Sequence, residues 1–405
     1  MFLKINEIIL NTAKKGLSIV NKDSGAFPEG TNGPHEQITT PVRNTSHWVI
    51  IFLHAFKITN NQIFYDAAIK SLDYLFSNDV RPKGFTFINR DYKNGDKCNG
   101  VIGQAWPIES LVKAYEITSD TKYLNLAKKV YDMHKFDPKI GLWSRCDVDG
   151  SSLRSFDTTL NHQIWFAASA ALLSKHSKDK DIKGHILKFL DCLEKNALIT
   201  EDGRFKMPIN PYSFLKSGYI SLFIRTTDIY TILRKAFLFK NGIKGAYLVL
   251  KDSFNTKKRK DFLAEMEIGY HAFHTYGLAM LKEVYPEHSV WKCKKINLSL
   301  DYLTDNSFIK SVMSSQYGIG YNPPGIEIAY SIDIFKNQII ELNKDVDYKE
   351  MIFNLLKIQF NETYDFSLNE MNKVEYDKDT YSARLYEICR LSKEILNKEI
   401  EWEQF

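Results

Sequence analysis

Between Ser155 and Leu173 the chain reads SFDTTLNHQIWFAASAALL, a polar head followed by an apolar, alanine-rich tail. An Asp or Thr at the start of a helix can be a plain cap, accepting the N–H groups of the first turn. Capping accounts for Asp157 and its two threonines but not for Asn161, His162 and Gln163 one turn on. A carboxylate, an amide and an imidazole this close in sequence are the makings of acid–base chemistry.

The pattern recurs. GPHEQITTPVRNTSHW carries His35, Glu36, Arg43, His47 and Trp48. FINRDYKNGDKCNGVIGQAW carries Arg90, Asp91, Asp96, Asn99, Gln104 and Trp106. Arg145 precedes the Asp157 stretch. EMEIGYHAFHTYG brings Glu265, Glu267, Tyr270, His271 and His274. QYGIGYNPPGIEIAY brings Tyr317, Tyr321, Asn322 and Glu327, and DKDTYSARLYE brings Asp379, Tyr381, Arg384 and Tyr386. Aromatic rings stack on sugar rings, amides and acids hold hydroxyls, and arginines grip a carboxylate in bidentate fashion. An acidic saccharide is therefore the expected partner. Glu267, His271 and His274 could share one helix face, but no third metal ligand is identifiable, so no metal or other cofactor is expected. No Gly-x-Ser-x-Gly elbow, Walker loop or Gly-x-Gly-x-x-Gly after a strand is present.

Each cluster precedes or opens an apolar helix, and the helices come in pairs. AFKIT at 55–59 and AYEIT at 114–118 stand 59 residues apart, inside two helix–turn–helix units that begin near Arg43 and Asn99. Further pairs are expected at 159–174 with 179–195, 265–284 with 289–304, and 324–337 with 346–360. A sixth apolar helix is expected at about 379–397, with the N-terminal helix at 3–15 as its partner. Internal similarity at such a period signals stacked helical hairpins. Six pairs predict an all-α, single-domain (α/α)6 toroid over 1–405, with the six polar clusters converging on one mouth. GFTFINRD and GRFKMPI are expected to be short loop strands at most.

One segment breaks the rhythm. Arg204–Lys260 has net charge +11, against +5 for the whole 405-residue chain, so the remainder is −6. It is basic, aromatic and apolar at once. It is expected to be a helical insertion, either packed on the toroid or resting on an anionic membrane surface. The acidic remainder argues against nucleic acid. The five cysteines are scattered, without Cys-x-x-Cys, which argues against a disulfide framework and for a reducing compartment. Lys4, Glu7, Lys14 and Lys15 interrupt the N-terminal apolar pattern, unlike a signal peptide, and no stretch of about 18 apolar residues predicts a membrane span. The expected location is cytoplasmic, at the inner membrane face if the insertion rests on the membrane.

SFDTTLNHQIWFAA resembles the Asp-x-x-x-Asn segment of the unsaturated glucuronyl hydrolases. GDKCNGVIGQAWPIESLVKAYEITSDTKYL resembles their segment one hairpin earlier. The resemblance implies hydrolysis of uronic-acid-containing oligosaccharides, with Asp157 as proton donor and activator of water. Asp96 would be the ionised partner; Asp91 is the alternative, because this segment matches less closely. His162 stands where the family pattern leads one to expect an apolar residue. TNGPHEQITTPVRNTSHW and EIGYHAFHTYGLAML are similar to AglQ-like proteins of polysaccharide gene clusters. The same toroid also hosts sugar epimerases and uronate lyases, for which His271, His274 and Tyr381 are the candidate bases. A non-catalytic glycan-binding component of a membrane-associated biosynthetic complex is the third reading.

Overall fold

The structure, a computed structural model, describes residues 2–91, 96–209, 257–343, 347–374 and 376–402. Residues 210–256, the bulk of the expected insertion, lie outside the described residues. The five long inner helices are α2 (Pro41–Thr59), α4 (Ile102–Thr118), α6 (Leu160–Ser174), α8 (Lys257–Val284) and α11 (Pro324–Leu342). The outer layer holds α1 (Ile5–Ile19), α3 (Gln62–Phe76), α5 (Thr121–Asp132), α7 (Lys180–Asn196), α9 (Lys294–Thr304), α10 (Asn306–Val312) and α12 (Tyr348–Thr363). The sixth inner position differs from a single helix over 379–397. It is α13 (Lys378–Ala383), a 3₁₀ segment Arg384–Arg390, and the short α14 (Lys393–Leu396). Helix α8 likewise starts eight residues before the expected 265.

The inner elements close a ring: α2 packs on α4, α4 on α6, α6 on α8, α8 on α11, α11 on the 3₁₀ segment, and that segment on α2. The outer helices α3, α5, α7 and α12 each lie against the inner helix that precedes them, and α1 lies on α2 beside α14. This is an (α/α)6 toroid. Strands β1 (Phe2–Lys4) and β9 (Glu399–Glu401) pair antiparallel, Phe2 opposite Glu401, next to α1. No described helix is long and apolar enough to cross a membrane.

Burial explains the two layers. Every residue of α2 from Val42 to Ala55 is buried, whereas α5 buries only Tyr123, Leu126, Ala127, Val130 and Tyr131, one stripe of a two-sided helix. The helix starts differ too. Asn61, Asp120, Asp179 and Asp347 cap α3, α5, α7 and α12 through their side chains. The inner helices α2, α4, α6 and α11 have no side-chain cap of their own.

The loops into the inner helices are held by a repeated latch. A side chain of the inner helix accepts the backbone N–H of an aromatic residue in the preceding connection. Thr45 takes Phe27 (3.0 Å), Gln104 takes Phe87 (2.7 Å), Gln163 takes Trp143 (3.0 Å) and His271 takes Phe205 (3.1 Å). Gln104 and Gln163 stand 59 residues apart, the hairpin period. The latches span 18, 17, 20 and 66 residues. Pro107 inside α4 leaves Gly103 O without its helical donor; Asn89 Nδ2 supplies one at 2.8 Å.

Short strands fill the loops: β2 (Gly30–Thr31) with β3 (Ile38–Thr39), β4 (Phe136–Asp137), β5 (Leu142–Cys146) and β6 (Ser152–Phe156) in one sheet, and β7 (Ala197–Ile199) with β8 (Phe205–Ile209). GRFKMPI contributes β8, while GFTFINRD contributes only the bridge of Arg90 to Thr39. Strand β8 ends beside the mouth, where Ile209 N–H donates to Thr158 O (2.9 Å).

Candidate active site

Asp157 lies between β6 and α6 and is 1% exposed. Its Oδ2 accepts the N–H of Val101, the residue at the head of α4, at 3.1 Å, and His162 Nδ1 at 2.7 Å. Its Oδ1 accepts Thr159 N–H at 3.2 Å and faces Arg145 Nη2 at 3.7 Å. The carboxylate of one hairpin thus caps the inner helix of its neighbour, where the helix dipole favours negative charge. Asn99 and Gly100 take left-handed backbone (φ 59° and 60°) to aim that amide. A Cβ on Gly100 would collide with the Asp157 carboxylate. Asp96 accepts Cys98 N–H (3.0 Å) and Gly100 N–H (2.7 Å), so Asp96 and Asp157 take consecutive amides, Gly100 and Val101.

Burial would raise the Asp157 carboxyl, but His162, Arg145 and the Val101 N–H outweigh it and hold it well below the usual carboxylate range. An ionised carboxylate can only accept, so His162 Nδ1 is the donor in this bond and Nε2 is left facing away from Asp157. The His162 side chain is partly exposed.

Two more histidines share this end. His35 Nε2 bonds Tyr270 Oη (3.0 Å), between the rings of Tyr317 and Tyr321. Burial, then Arg90 and His162, push it down to about 4. His274 Nδ1 donates to Tyr270 O at 2.5 Å, which leaves Nε2 buried without a protein partner. Burial foremost, with a contribution from His162, lowers it to about 4. Both imidazoles are neutral near pH 7.

Deeper in, the Arg43 guanidinium lies 4.7 Å from the Trp106 ring centroid. His47 stacks on Tyr386 at 4.0 Å with its edge toward Trp106. Burial, Arg43 and Arg384 keep His47 well below its ordinary value. Arg384 makes three bonds: Nε to Glu387 (2.6 Å), Nη1 to Asn322 (2.8 Å) and Nη2 to Glu327 (2.6 Å). Burial raises both carboxyls; Glu387 adds to the rise at Glu327, which stands well above the ordinary value, and Glu109 adds to the rise at Glu387. Arg43 Nε, both nitrogens of His47, Asn161 Oδ1, Glu327 Oε2 and Tyr386 Oη are buried without protein partners. Buried polar groups are normally satisfied; a cluster that is not, drawn from four inner elements, suits a polar ligand.

No family model matches the chain. Archaeal glycosylation protein Q of Haloferax volcanii is 33% identical over 392 residues, covering 96% of this chain and 97% of that protein. The chain belongs to that family. Family membership agrees with the resemblance carried by the stretches around His47 and His274. Among solved structures, a D-mannose isomerase aligns with TM-score 0.62 at 13% identity, over 97% of this chain and 96% of that one. The cellobiose 2-epimerase of Bacillus thermoamylovorans gives 0.60 at 11%, over 95% and 98%. An unsaturated glucuronyl hydrolase specific for heparin gives 0.59 at 11%, over 95% of each. At these identities the likeness establishes the shared toroid.

The structure gathers His35, Arg43, His47, Arg90, Asp96, Asn99, Trp106, Arg145, Asp157, Asn161, His162, His274, Tyr321, Asn322 and Arg384 around the mouth and the chamber beneath it. It removes others. Trp48 stacks on Phe27 at 4.7 Å, in the packing of α2 against α1. Gln104 and Gln163 spend their amides on the latches, Gln163 also donating to Asp157 O (2.8 Å). His271, the fourth latch, donates Nε2–H to Ser299 O (3.1 Å) on the outer side of α8. Glu267, one turn before it, faces Arg204 at 3.6 Å. The Tyr381 hydroxyl bonds Ile319 O, Asn322 O and Gln359 Nε2, supporting the loop that holds Asn322. Asp91 is exposed, while Asp96 is tied to the Asp157 turn. Glu387 escaped sequence reasoning, although its i,i+3 spacing from Arg384 was a usable signal.

Proposed function

We propose that the protein is a carbohydrate-processing enzyme that transfers protons through His162, on a sugar that carries a carboxylate. The observation behind this is the Asp157–His162 contact at 2.7 Å, with the other lone pairs of Asp157 already engaged. A carboxylate held this far ionised has no proton to donate near pH 7. It can fix the His162 tautomer and stabilise the imidazolium that forms when Nε2 takes a proton. The substrate step is removal of a proton from the carbon beside a carbonyl, leaving an enediolate. The His162 imidazolium returns that proton to the adjacent carbon, while the free Nε2 of His274, on the neighbouring helix, takes the proton of the neighbouring hydroxyl and passes it to the former carbonyl oxygen. That is sugar isomerisation. Arg43, Arg90 and Arg145 supply the carboxylate recognition.

Incubating glucuronate-containing mono- and disaccharides with the protein in D₂O tests the reading. Solvent deuterium should enter one C–H position, and His162→Ala should abolish entry. Hydrolysis is the second reading, favoured by the two carboxylates on consecutive amides. It requires ¹⁸O from labelled water at the released anomeric carbon and no carbon-bound deuterium. That result would replace the first reading.

A further inference from the structure

The end of the toroid opposite Asp157, where the inner helices finish, encloses a cavity of about 580 Å³. It is lined by the last turns of α2, α4 and α6, by Glu283 near the end of α8, and by residues 389–397, with Arg390 in its wall. The volume is that of a small-molecule site.

Its charge is unbalanced. Lys57, Lys113, Lys175, Lys393 and Arg390 face Glu109, Glu116 and Glu283. The three acids are already engaged. Glu109 pairs with Arg390, Glu116 with Lys113 (2.9 Å) and His176 (3.1 Å), and Glu283 accepts the Tyr330 hydroxyl (2.8 Å). Lys57, Lys175 and Lys393 have no carboxylate partner among the described residues. Arg390 Nε is buried without a partner. His54, in the same wall, registers the positive field: burial, Lys113 and Lys57 push it down to about 4.

We propose that this cavity is a second ligand site, for the phosphate group of a phosphorylated sugar. Three ammonium groups and a guanidinium match a compact dianion better than a single carboxylate would. The volume left beyond a phosphate is walled by Asn6, Asn397 and the engaged glutamates, which suit hydroxyls. Lys57 and Lys175 also lie at helix C-termini, where they would offset the helix dipoles; that role alone creates no binding. The site is independent of the chemistry at the mouth, and its test leaves the deuterium assay untouched.

Isothermal titration of the full chain at low ionic strength with glucose 1-phosphate should give one-to-one binding. Replacing Lys57, Lys175 and Lys393 together by Ala should weaken it by at least about tenfold, since each lost cation removes charge within a Debye length of the anion. Replacing all three by Arg should retain it. A melting curve reports whether the Ala variant is folded; if it is not, the single reversal Lys175→Glu carries the same expectation. Absence of binding by the unaltered chain would overturn the proposal. So would equal binding by the Ala variant, or loss of binding with Arg43→Ala alone, which would put the anion in the mouth chamber. Equal affinity for inorganic phosphate would overturn the sugar half of the assignment.

Discussion

The inner and outer helices are made of the same chain but begin in opposite ways. Outer helices α3, α5, α7 and α12 start with an Asn or Asp that satisfies their own first amides. Inner helices α2, α4, α6 and α11 start without one. At α4 the missing cap is replaced by Asp157 of the next hairpin, and at α11 the Gly325 N–H goes to Gln359 (2.9 Å). The outer ring closes its helix ends locally and gains stability. The inner ring leaves them open to groups that come from elsewhere, and those groups build the site.

Substitutions at the two rings should therefore have different consequences. The largest effect is expected for Asp157→Asn, which leaves the shape but removes the charge that fixes His162. Turnover should fall by roughly 10³–10⁴, measured as deuterium entry. Asp157 also gives an acid signature. Its native pKa is depressed, so its contribution to stability is complete above the unfolded value near 3.8 and is lost as pH falls below it. Urea unfolding from pH 5 downward should show a shallower decline in the Asn variant.

Arg384→Met comes next, because it strands two buried carboxylates. Unfolding should cost about 3–5 kcal/mol less, and adding Glu327→Gln with Glu387→Gln should recover part of that. The pH sign here is opposite. Native pKa values raised above 4.5 mean the folded protein holds more protons, so this cluster loses stability as pH rises from 4.5 toward those values. Glu387→Gln should flatten that limb.

Gly100→Ala forces a side chain into left-handed backbone and against Asp157. A loss of about 1–3 kcal/mol is expected, with reduced turnover. The smallest effect belongs to the outer ring: Asp120→Ala should lower stability by about 1 kcal/mol and leave turnover unchanged. A fall in turnover there would contradict the division between the rings.

The hairpins were legible because each inner helix is apolar on every side and each outer helix on one, a pattern that repeats at 59 residues. Asp157, Asn161 and His162 were legible because their types exceed what a cap needs. Helix rotation was not. His271 and His274 are three residues apart, yet one turns to Ser299 and the other to the chamber. Gln104 and Gln163 misled for a different reason: a latch and a ligand contact both call for an amide in the first turn of an inner helix. The sixth inner element was read as a regular helix. Its 3₁₀ winding eclipses residues i and i+3, which is what sets Arg384 against Glu387.

The latches carry an evolutionary consequence. Three close spans of 17–20 residues, but the fourth, Phe205 to His271, closes 66. Closure entropy grows only slowly with the length of chain closed, about 0.6 kcal/mol per doubling, so a ring whose register is set by the latch tolerates the longer span. The length of chain between those two residues can therefore change while β8 and α8 stay in register. A family built this way can change the length of one connection without renegotiating its core.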